Sequence, residues 1–269
     1  MISINTNYGS LFASKAAGAA QKTMNSAMER LSSGLRINNA KDDAAGQGIA
    51  TRITAQVQGL QMASRNASDA QSMIDTAEAA HQEVHNMLLR MREIAVQAAN
   101  DTLGDSDRTA LDAEVSALEK EIKSISDNTT FAGKQINTST QTVFQVGTAN
   151  TNTLTVVFKD FQTTAISADV TVASSGTARS ALAKIDAAIS TISTRRGELG
   201  AASNRLSSTI ANLDNIAVNL ASARGRIQDT DFAEETSNLA KSQIMQQAAT
   251  AMLAQANASK STVLTLIRG

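Results

Sequence analysis

The stretch that decides the fold is Leu60–Ala98, "LQMASRNASDAQSMIDTAEAAHQEVHNMLLRMREIAVQA". Its small or apolar positions recur at gaps that alternate between three and four residues without a slip. They are Leu60, Ala63, Ala67, Ala70, Ile74, Ala77, His81, Val84, Leu88, Met91, Ala95 and Ala98. A heptad pattern sustained for about five heptads is typical of a long helix in a bundle or coiled coil. The pattern predicts a helix from about residue 44 to residue 99, roughly 80 Å long at ~1.5 Å per residue.

Two further helices are predicted to pack against this one. The sequence "NDTLGDSD" breaks the first helix, with Gly104 at the turn and Asp105 to Asp107 as candidate N-caps. A second helix follows, with one apolar face formed by Leu111, Val115, Leu118, Ile122 and Ile125. A third seam runs from Leu182 to Leu220 and is interrupted by Arg196 and Ser203. Antiparallel packing of the three helices would bury all three seams.

The middle of the chain changes character. The segment from Asn128 to Gly176 is rich in Thr, Ser and Asn, and it contains two β-like runs, "TVFQVG" and "TLTVVF", joined by "TANTN". These runs predict a hairpin, and "ISADVTVAS" is predicted to add a third extended piece. The fold class expected is therefore mainly α, a long antiparallel helical bundle or coiled coil with a small central β-hairpin region.

Both ends of the chain carry narrow helical stripes. The N-terminal stripe is Leu11, Ala17, Ala20, Met24, Met28, Leu31 and Leu35. The C-terminal stripe is Met245, Ala248, Met252, Ala256, Ser259, Val263 and Leu266. Such alanine-rich helices bury little apolar area and are marginal in water. We expect them to become ordered only against each other or against neighbouring subunits, as in a protein whose ends fold when it polymerises.

Composition excludes several classes of protein. The chain has 269 residues, a formal net charge of −1, no Pro, Cys or Trp, and 3% aromatic residues. The near-neutral charge argues against nucleic-acid binding, which needs a basic footprint. No apolar run reaches the ~18 residues of a membrane span, and the N-terminus lacks the pattern of a secretory signal. We expect no membrane insertion and, if the protein leaves the cell, export without a cleaved signal peptide.

The sequence also offers no catalytic constellation. There is no nucleophile elbow, phosphate loop or thiol, so we expect neither an enzyme nor a cofactor. His81 and His85 are spaced i, i+4 in "HQEVH", and two such side chains can hold a metal ion. The zinc-protease pattern H-E-x-x-H, however, places its Glu one residue earlier. We therefore expect no metal site, with His81 packed in the bundle and His85 solvated.

The polar stretch Arg30–Gly46, "RLSSGLRINNAKDDAAG", separates the first terminal helix from the long heptad helix. Gly34 is predicted to end the terminal helix, and Asn38, Asn39, Asp42 and Asp43 are candidate caps for the next one. The stretch carries charges of both signs, as expected of a connector that contacts neighbouring subunits.

This stretch resembles the most recognisable segment of bacterial flagellins. So do "LLRMREIAVQAAND" (Leu88–Asp101), "RGELGAASNRL" (Arg196–Leu206) and "RIQDTDFAEETSNLAKSQIMQQAATAMLAQAN" (Arg226–Asn257), and the ending "VLTLIRG" is similar. The resemblance covers about the first 130 and the last 90 residues. It implies a short flagellin with little or no variable outer domain, a structural subunit of the filament used for motility.

The resemblance also implies an organisation in five segments. Residues 1–44 would be the N-terminal inner-core helix and connector, and residues 45–127 the N-terminal helical core. Residues 128–177 would be the central β-hairpin and variable region. Residues 178–226 would be the C-terminal helical core, and residues 227–269 the C-terminal inner-core helix.

Several partners follow from the same resemblance. They are other copies of the chain in a helical homo-polymer, an export chaperone on the C-terminal helix, the flagellar cap and the hook-junction proteins. The resemblance also implies an extracellular location, in the bacterial flagellum. The subunit-interface residues expected are Leu31, Leu35, Arg36, Ile37, Asn38, Lys41, Asp42, Asp43, Met245, Met252, Val263, Leu264 and Leu266.

A host receptor is a further partner that the resemblance implies. In flagellins a stretch that matches "LLRMREIAVQ" is where the animal Toll-like receptor docks on monomers, and the matching positions are Arg90, Ile94 and Glu114. We expect contact between neighbouring subunits to be the primary role of this surface.

Two alternatives stay open at this point. A hook–filament junction protein has the same paired terminal helices, although the sequence motifs "LSSGLRINNAKDDAAG" and "AVQAAND" favour flagellin. A surface module that binds a glycan would need aromatic side chains, and the middle segment offers Phe131, Phe144, Phe158 and Phe161, which suit a hairpin core at least as well. The Thr/Ser-rich middle is also a candidate for O-linked sugars.

Overall fold

The structure is a computed structural model that describes residues 6–138, 141–159 and 170–268, with side chains described as far as residue 262. Its helices are α1 (Tyr8–Ser33), α2 (Ala44–Ala98), α3 (Asp105–Asn128), α4 (Ser175–Gln228) and α5 (Phe232–Arg268). Its strands are β1 (Thr130–Phe131), β2 (Lys134–Gln135), β3 (Gln141–Gln145) and β4 (Thr153–Val157). The mainly α fold with small central hairpins is confirmed.

The chain divides into two compact units. The terminal unit is formed by Met1–Ala55 and Asn219–Gly269, and the central unit by Gln56–Val218. Helices α2 and α4 therefore contribute residues to both units. The five-segment division expected from the sequence stays a prediction.

The central unit is built on the heptad seam of α2. All twelve seam positions from Leu60 to Ala98 are buried, with no more than 8% of any of them exposed. Seam residues of α2 from Val84 onward join residues of α3 such as Val115 and Ile122, and residues of α4, in one core. The predicted three-helix packing is therefore confirmed, because this apolar cluster contains residues of all three helices.

Polar contacts fix the direction of α4 along α2. The Ser64 hydroxyl donates to Asp214 at 3.0 Å, Arg196 donates to Glu78 at 2.7 Å, and Arg92 donates to Asp186 at 2.6 Å. As residue numbers rise along α2 they fall along α4, so the two helices are antiparallel. The Arg196 interruption of the third seam is explained by its ion pair with Glu78, which places the charge at the edge of the seam.

The predicted hairpin is confirmed as β3 and β4. They pair antiparallel with Phe144 opposite Leu154. Leu154 and Val156 alternate with exposed neighbours, and together with Phe158 they pack on Ile74 of α2 and on α4. The hairpin therefore closes a second core in the central unit, and its phenylalanines serve packing, as the sequence suggested for Phe158 and Phe144. Phe161 lies outside the described residues.

A second hairpin was missed in the sequence. Strands β1 and β2 pair antiparallel around Ala132 and Gly133, which have φ values of 51° and 79°. Positive φ at both central residues is the geometry of a tight two-residue hairpin turn, and glycine adopts it without steric cost. The Gly in "FAGK" was the available signal.

The third extended piece differs from its prediction. Residues 166–169 lie outside the described part of the chain, and Val170–Ser174 form no strand. The backbone amides of Val170 and Val172 instead donate to Glu119 at 3.1 Å and to Asp112 at 2.7 Å, both on α3. Carboxylates of α3 thus accept the hydrogen bonds that carbonyl oxygens of a neighbouring strand would have accepted.

The turn between α2 and α3 corrects one predicted cap. Gly104, not an aspartate, is the N-cap of α3, and its amide donates to Asp107 at 3.2 Å. Buried Arg108 reaches back and donates to the carbonyl oxygens of Ala98 and Asn100, both at 3.1 Å. The guanidinium thereby caps the carboxyl end of α2, where helical carbonyls lack partners.

Candidate subunit interface

The terminal unit is an antiparallel pair of helices, α1 and α5. Near one end of the pair the Asn7 side chain donates to the carbonyl of Ala256 at 3.1 Å. Gln246 donates to Gln21 near the middle. At the other end Arg30 lies 3.7 Å from the carboxylate of Glu235. Contacts between the N-terminal and C-terminal helices therefore run along the length of the pair.

The seam inside this pair is made of small and polar side chains. Ala13, Ala20 and Ala27, one heptad apart, are the buried residues of α1. On α5 the buried residues are Glu235, Ser242 and Ala249, again one heptad apart. A methylene-sized group contributes about 0.8 kcal/mol on burial, against about 1.5–3 kcal/mol for a Leu, Ile, Phe or Met side chain. Small side chains let the helices approach closely, but the pair gains little hydrophobic stability from them.

Several large apolar side chains of the same helices are exposed, although Met24, Leu31, Leu239 and Leu253 are partly buried. Exposed fractions are 60% for Leu11, 77% for Phe12 and 66% for Ile244. The full set, here called the outward face, is Tyr8, Leu11, Phe12, Met28, Phe232, Ile244, Met245 and Met252. The predicted N-terminal stripe agrees in part with this division, because Ala20 is buried and Met24 and Leu31 are partly buried, whereas Leu11 and Met28 are exposed. The predicted C-terminal stripe lies mostly on the exposed side of α5, with Met245, Ala248 and Met252. Tyr8, Phe12, Phe232 and Ile244 were missed, although apolar residues outside an alanine seam were a visible signal.

The connector is fastened to the turn between α4 and α5. Gly34 ends α1 in the left-handed conformation with φ 72°, as predicted. Leu35 then pairs with Asp229 as an isolated antiparallel bridge. The Arg36 amide donates to Gln228 at 2.7 Å, and the Thr230 amide donates to Gly34 at 3.0 Å. Backbone hydrogen bonds therefore join the segment that follows α1 to the turn that precedes α5.

Only one of the four predicted caps acts as a cap. Asp43 accepts from the Gly46 amide at 2.9 Å, which makes it the N-cap of α2. Asp42 instead accepts from the amides of Asn38 and Asn39 at 3.2 and 3.0 Å, and these bonds fold the connector upon itself. The Asn39 amide is the main cause that lowers the pKa of Asp42.

The two asparagines tie the connector back to α1. The Asn38 side chain donates to the Ser33 hydroxyl at 2.9 Å, and that of Asn39 donates to the Glu29 carboxylate at 3.0 Å. Their predicted capping role was wrong because their amide groups are used against the preceding helix.

The predicted interface residues fall into four groups. Ile37 is only 2% exposed, so its side chain belongs to the interior of the terminal unit and its assignment to the subunit interface is corrected. Leu31, Leu35 and Asn38 are partly buried, whereas the exposed members are Arg36, Lys41, Asp42, Asp43, Met245 and Met252. The side chains of Val263, Leu264 and Leu266 lie outside the described part.

In the central unit, Arg90 and Glu114 form an exposed ion pair. Two nitrogens of Arg90 donate to one oxygen of Glu114 at 3.0 and 2.9 Å, and a third donates to Glu93 at 3.1 Å. These bonds, first the one to Glu114, raise the pKa of Arg90. Ile94 is 1% exposed within the three-helix core. Its predicted place on a receptor surface is corrected, because its side chain faces the bundle.

The two histidines have separate environments. His81 is 2% exposed, its Nδ1 donates to the Ala77 carbonyl at 2.8 Å, and burial lowers its pKa. His85 is partly buried rather than solvated. Among the described residues there is no group of three or more His, Asp or Glu side chains that could hold a metal ion. Nor does any helix in that part of the chain combine the length and the apolar character needed to cross a membrane.

Terminal helices that pair through small residues and expose large apolar ones indicate a structural protein with a contact surface for other chains. Comparison with known proteins specifies the class. The N-terminal helical region of bacterial flagellin matches residues 4–142, and its C-terminal helical region matches residues 182–267. The chain belongs to the bacterial flagellin family. It is a structural subunit of the flagellar filament, a homo-polymer exposed outside the cell.

Individual relatives agree with this placement. The flagellin of Halalkalibacterium halodurans is 43% identical over 98% of this chain and 99% of its own length. The flagellin of Bacillus subtilis is 40% identical over 90% and 91%. The crystal structure of Bacillus cereus flagellin, 32% identical, covers 60% of this chain and 94% of its own, with a TM-score of 0.53. A Vibrio parahaemolyticus structure assigned to the flagellar hook-associated proteins has a TM-score of 0.62 over 70% of this chain and all of its own, and at 15% identity it shows the fold alone.

Gly46 provides a test of the connector. A Cβ atom there would collide with Asp43 Oδ2 and would lie 2.7 Å from Ile37 Cδ1. Gly46→Ala is expected to destabilise the terminal unit by about 1–3 kcal/mol through overpacking. Limited trypsin digestion should then cut faster after the exposed residues Arg36 and Lys41.

Gly48→Ala is the matched control. None of the described atoms would lie within 4 Å of its Cβ, apart from the helix itself, so it should leave the cleavage rate unchanged or lower. Equal cleavage of the two variants after Arg36 would contradict the packing role assigned to Gly46.

Proposed function

We propose that the outward face of α1 and α5 is the surface through which this flagellin polymerises. The observation that carries the proposal is the division of side chains within one pair of helices, with alanines inside and Phe12 and Ile244 exposed. Monomeric proteins rarely expose so many large apolar side chains on one small element without a partner. Contact with other copies would bury these side chains and supply the stability that the alanine seam lacks.

The connector supports the same proposal. Its hydrogen bonds to the turn before α5 hold the ends of α1 and α5 together, so both helices would enter a filament as one unit. Arg36, Lys41 and Asp43 remain exposed beside that junction. We propose that these charges orient neighbouring copies, because charge complementarity sets register more than affinity.

Substitution of the outward face tests the polymerisation surface. Phe12→Ser and Ile244→Ser should each weaken assembly, since burial of either side chain is worth about 1.5–3 kcal/mol. The critical concentration for filament growth should rise at least about tenfold for each variant. Sedimentation of seeded monomers, with electron microscopy of the pellet, measures this.

Val143→Ser is the matched control, because Val143 is 57% exposed on the central hairpin. It should assemble like the parent chain, and all three variants should keep the helix content of the monomer. If Phe12→Ser and Ile244→Ser both grew filaments at the parent concentration, the outward face would not be the polymerising surface.

We infer that the same face has other occupants before and after assembly. An export chaperone would cover the exposed residues of α5 in the cell, and the chain would leave without a cleaved signal peptide. The cap and hook-junction proteins would meet the terminal helices at the two ends of a filament. Ile244→Ser should weaken capture of a purified chaperone, and unchanged capture would remove α5 as its site. In all these roles the chain acts as a structural protein and not as an enzyme.

We propose that the Arg90–Glu114 pair serves as a docking point for a host Toll-like receptor on free monomers. Its support is an exposed Arg with a fixed orientation, the kind of residue that anchors interfaces. Arg90→Glu should lower receptor signalling by at least about tenfold. Arg92→Glu, on the same helix but paired with Asp186, is the control. Full signalling by Arg90→Glu would remove this role.

A further inference from the structure

The described methionines differ widely in exposure, and Met24 and Met87 are partly buried. The sequence contains nine methionines and no cysteine, so thioethers carry all of its sulfur. Met73 and Met91 are 5% and 0% exposed in the central unit. Met28, Met245 and Met252 are 45%, 53% and 65% exposed, and all three belong to the outward face of the terminal unit.

We propose that Met28, Met245 and Met252 form an oxidant-sensitive modification site that blocks addition of a subunit to the filament. The proposal rests on the polymerising role of the outward face. Its new content is that a peroxide reaching the free subunit would convert this face from apolar to polar. No nucleotide, metal or protein cofactor is needed for this oxidation.

The reaction requires only a peroxide as co-reactant. The thioether sulfur attacks one oxygen of the peroxide, the O–O bond breaks, and a sulfoxide S–O bond forms. The sulfur is oxidised by two electrons, and hydrogen peroxide is reduced to water. Exposure limits this reaction, so among the methionines that the structure describes the order of reaction should follow the exposed fractions, with Met252 first and Met91 last.

The consequence for assembly follows from the polarity of the sulfoxide. It is a strong hydrogen-bond acceptor on a side chain that would otherwise pack against apolar neighbours, and burying it without a donor is unfavourable. Met245 and Met252 lie two helical turns apart on α5, so both are presented on one side of that helix. Subunits already in a filament should be protected, because assembly would cover the same side chains.

Met62 provides an internal comparison. It is 49% exposed, similar to Met245, but it lies in the central unit. Its sulfur accepts a hydrogen bond from Arg65 at 2.6 Å. Oxidation of Met62 should therefore leave the outward face unchanged, whatever its rate.

The experiment oxidises the full-length chain with hydrogen peroxide, first as monomer and then as filament. Peptide mass spectrometry reports the gain of one oxygen at each methionine, and seeded sedimentation reports the critical concentration. In the monomer we expect Met28, Met245 and Met252 to be oxidised and the critical concentration to rise about tenfold or more, which corresponds to about 1.4 kcal/mol. In filaments the same three residues should react more slowly. Methionine sulfoxide reductases should restore assembly of the oxidised monomer.

Two sets of variants decide whether these residues are responsible. The triple variant Met28→Leu, Met245→Leu, Met252→Leu should assemble after peroxide treatment, whereas Met62→Leu should be inhibited like the parent chain. Inhibition of the triple variant, or normal assembly of a parent monomer oxidised at all three positions, would overturn the proposal.

A third variant separates this inference from the polymerisation proposal on which it rests. Met245→Gln with Met252→Gln places polar groups on the outward face without any oxidant. If this variant assembled normally, the face would not be a polymerising contact and both proposals would be wrong. If it failed to assemble while peroxide-treated parent monomer stayed unoxidised at these positions, only the oxidation site would be wrong.

Discussion

The seam between α1 and α5 is the contact on which this account of assembly depends. It joins the two ends of the sequence through Ala13, Ala20 and Ala27 on one side and through Glu235, Ser242 and Ala249 on the other. Such side chains permit close approach but remove little apolar surface from water. Pairing of the two helices therefore leaves large apolar side chains of both helices exposed to water. These side chains form the outward face, where contact with other copies can bury them.

The central unit satisfies its own packing by a different distribution of side chains. There the α2 seam includes Leu60, Ile74, Leu88 and Met91, all buried within the subunit, and the hairpins add Phe158. Buried Arg108 caps the end of α2, and ion pairs such as Arg196–Glu78 lie at the edge of the bundle. One chain thus combines a unit whose core contains large apolar side chains with a unit whose helix pair buries mainly small ones.

Most of the central unit could be predicted from the sequence because its heptad pattern repeats many times. Twelve seam positions from Leu60 to Ala98 repeat one spacing, and every one of them is buried. Short signals are weaker: the sequence did not predict the "FAGK" turn, and Asn38 and Asn39, which were predicted as caps, bond to the preceding helix instead. Their side chains choose between several nearby partners, and only the tertiary position of Ser33 and Glu29 decides between them.

The candidate site was less predictable than the fold. Periodicity groups residues by helix face but does not say which face meets the partner. Met245, Ala248 and Met252 share one predicted stripe and all three are exposed, whereas the buried seam of α5 is formed by Glu235, Ser242 and Ala249. Ile37 follows Arg36 and Ile94 follows Glu93 in the sequence, and only packing in three dimensions shows that both isoleucines are buried. Family resemblance identified the right segments of the chain without distinguishing their inner and outer sides.

Hydrogen–deuterium exchange on the monomer and on filaments of the same full-length protein tests the central claim most directly. We expect amides in the middle of α1 and α5 to exchange much faster in the monomer than those along the α2 seam, because an alanine seam gives little stability. In filaments the same amides should become strongly protected. Equal, strong protection of α1 and α5 in monomer and filament would show that the seam alone holds the terminal unit together, and would contradict the account.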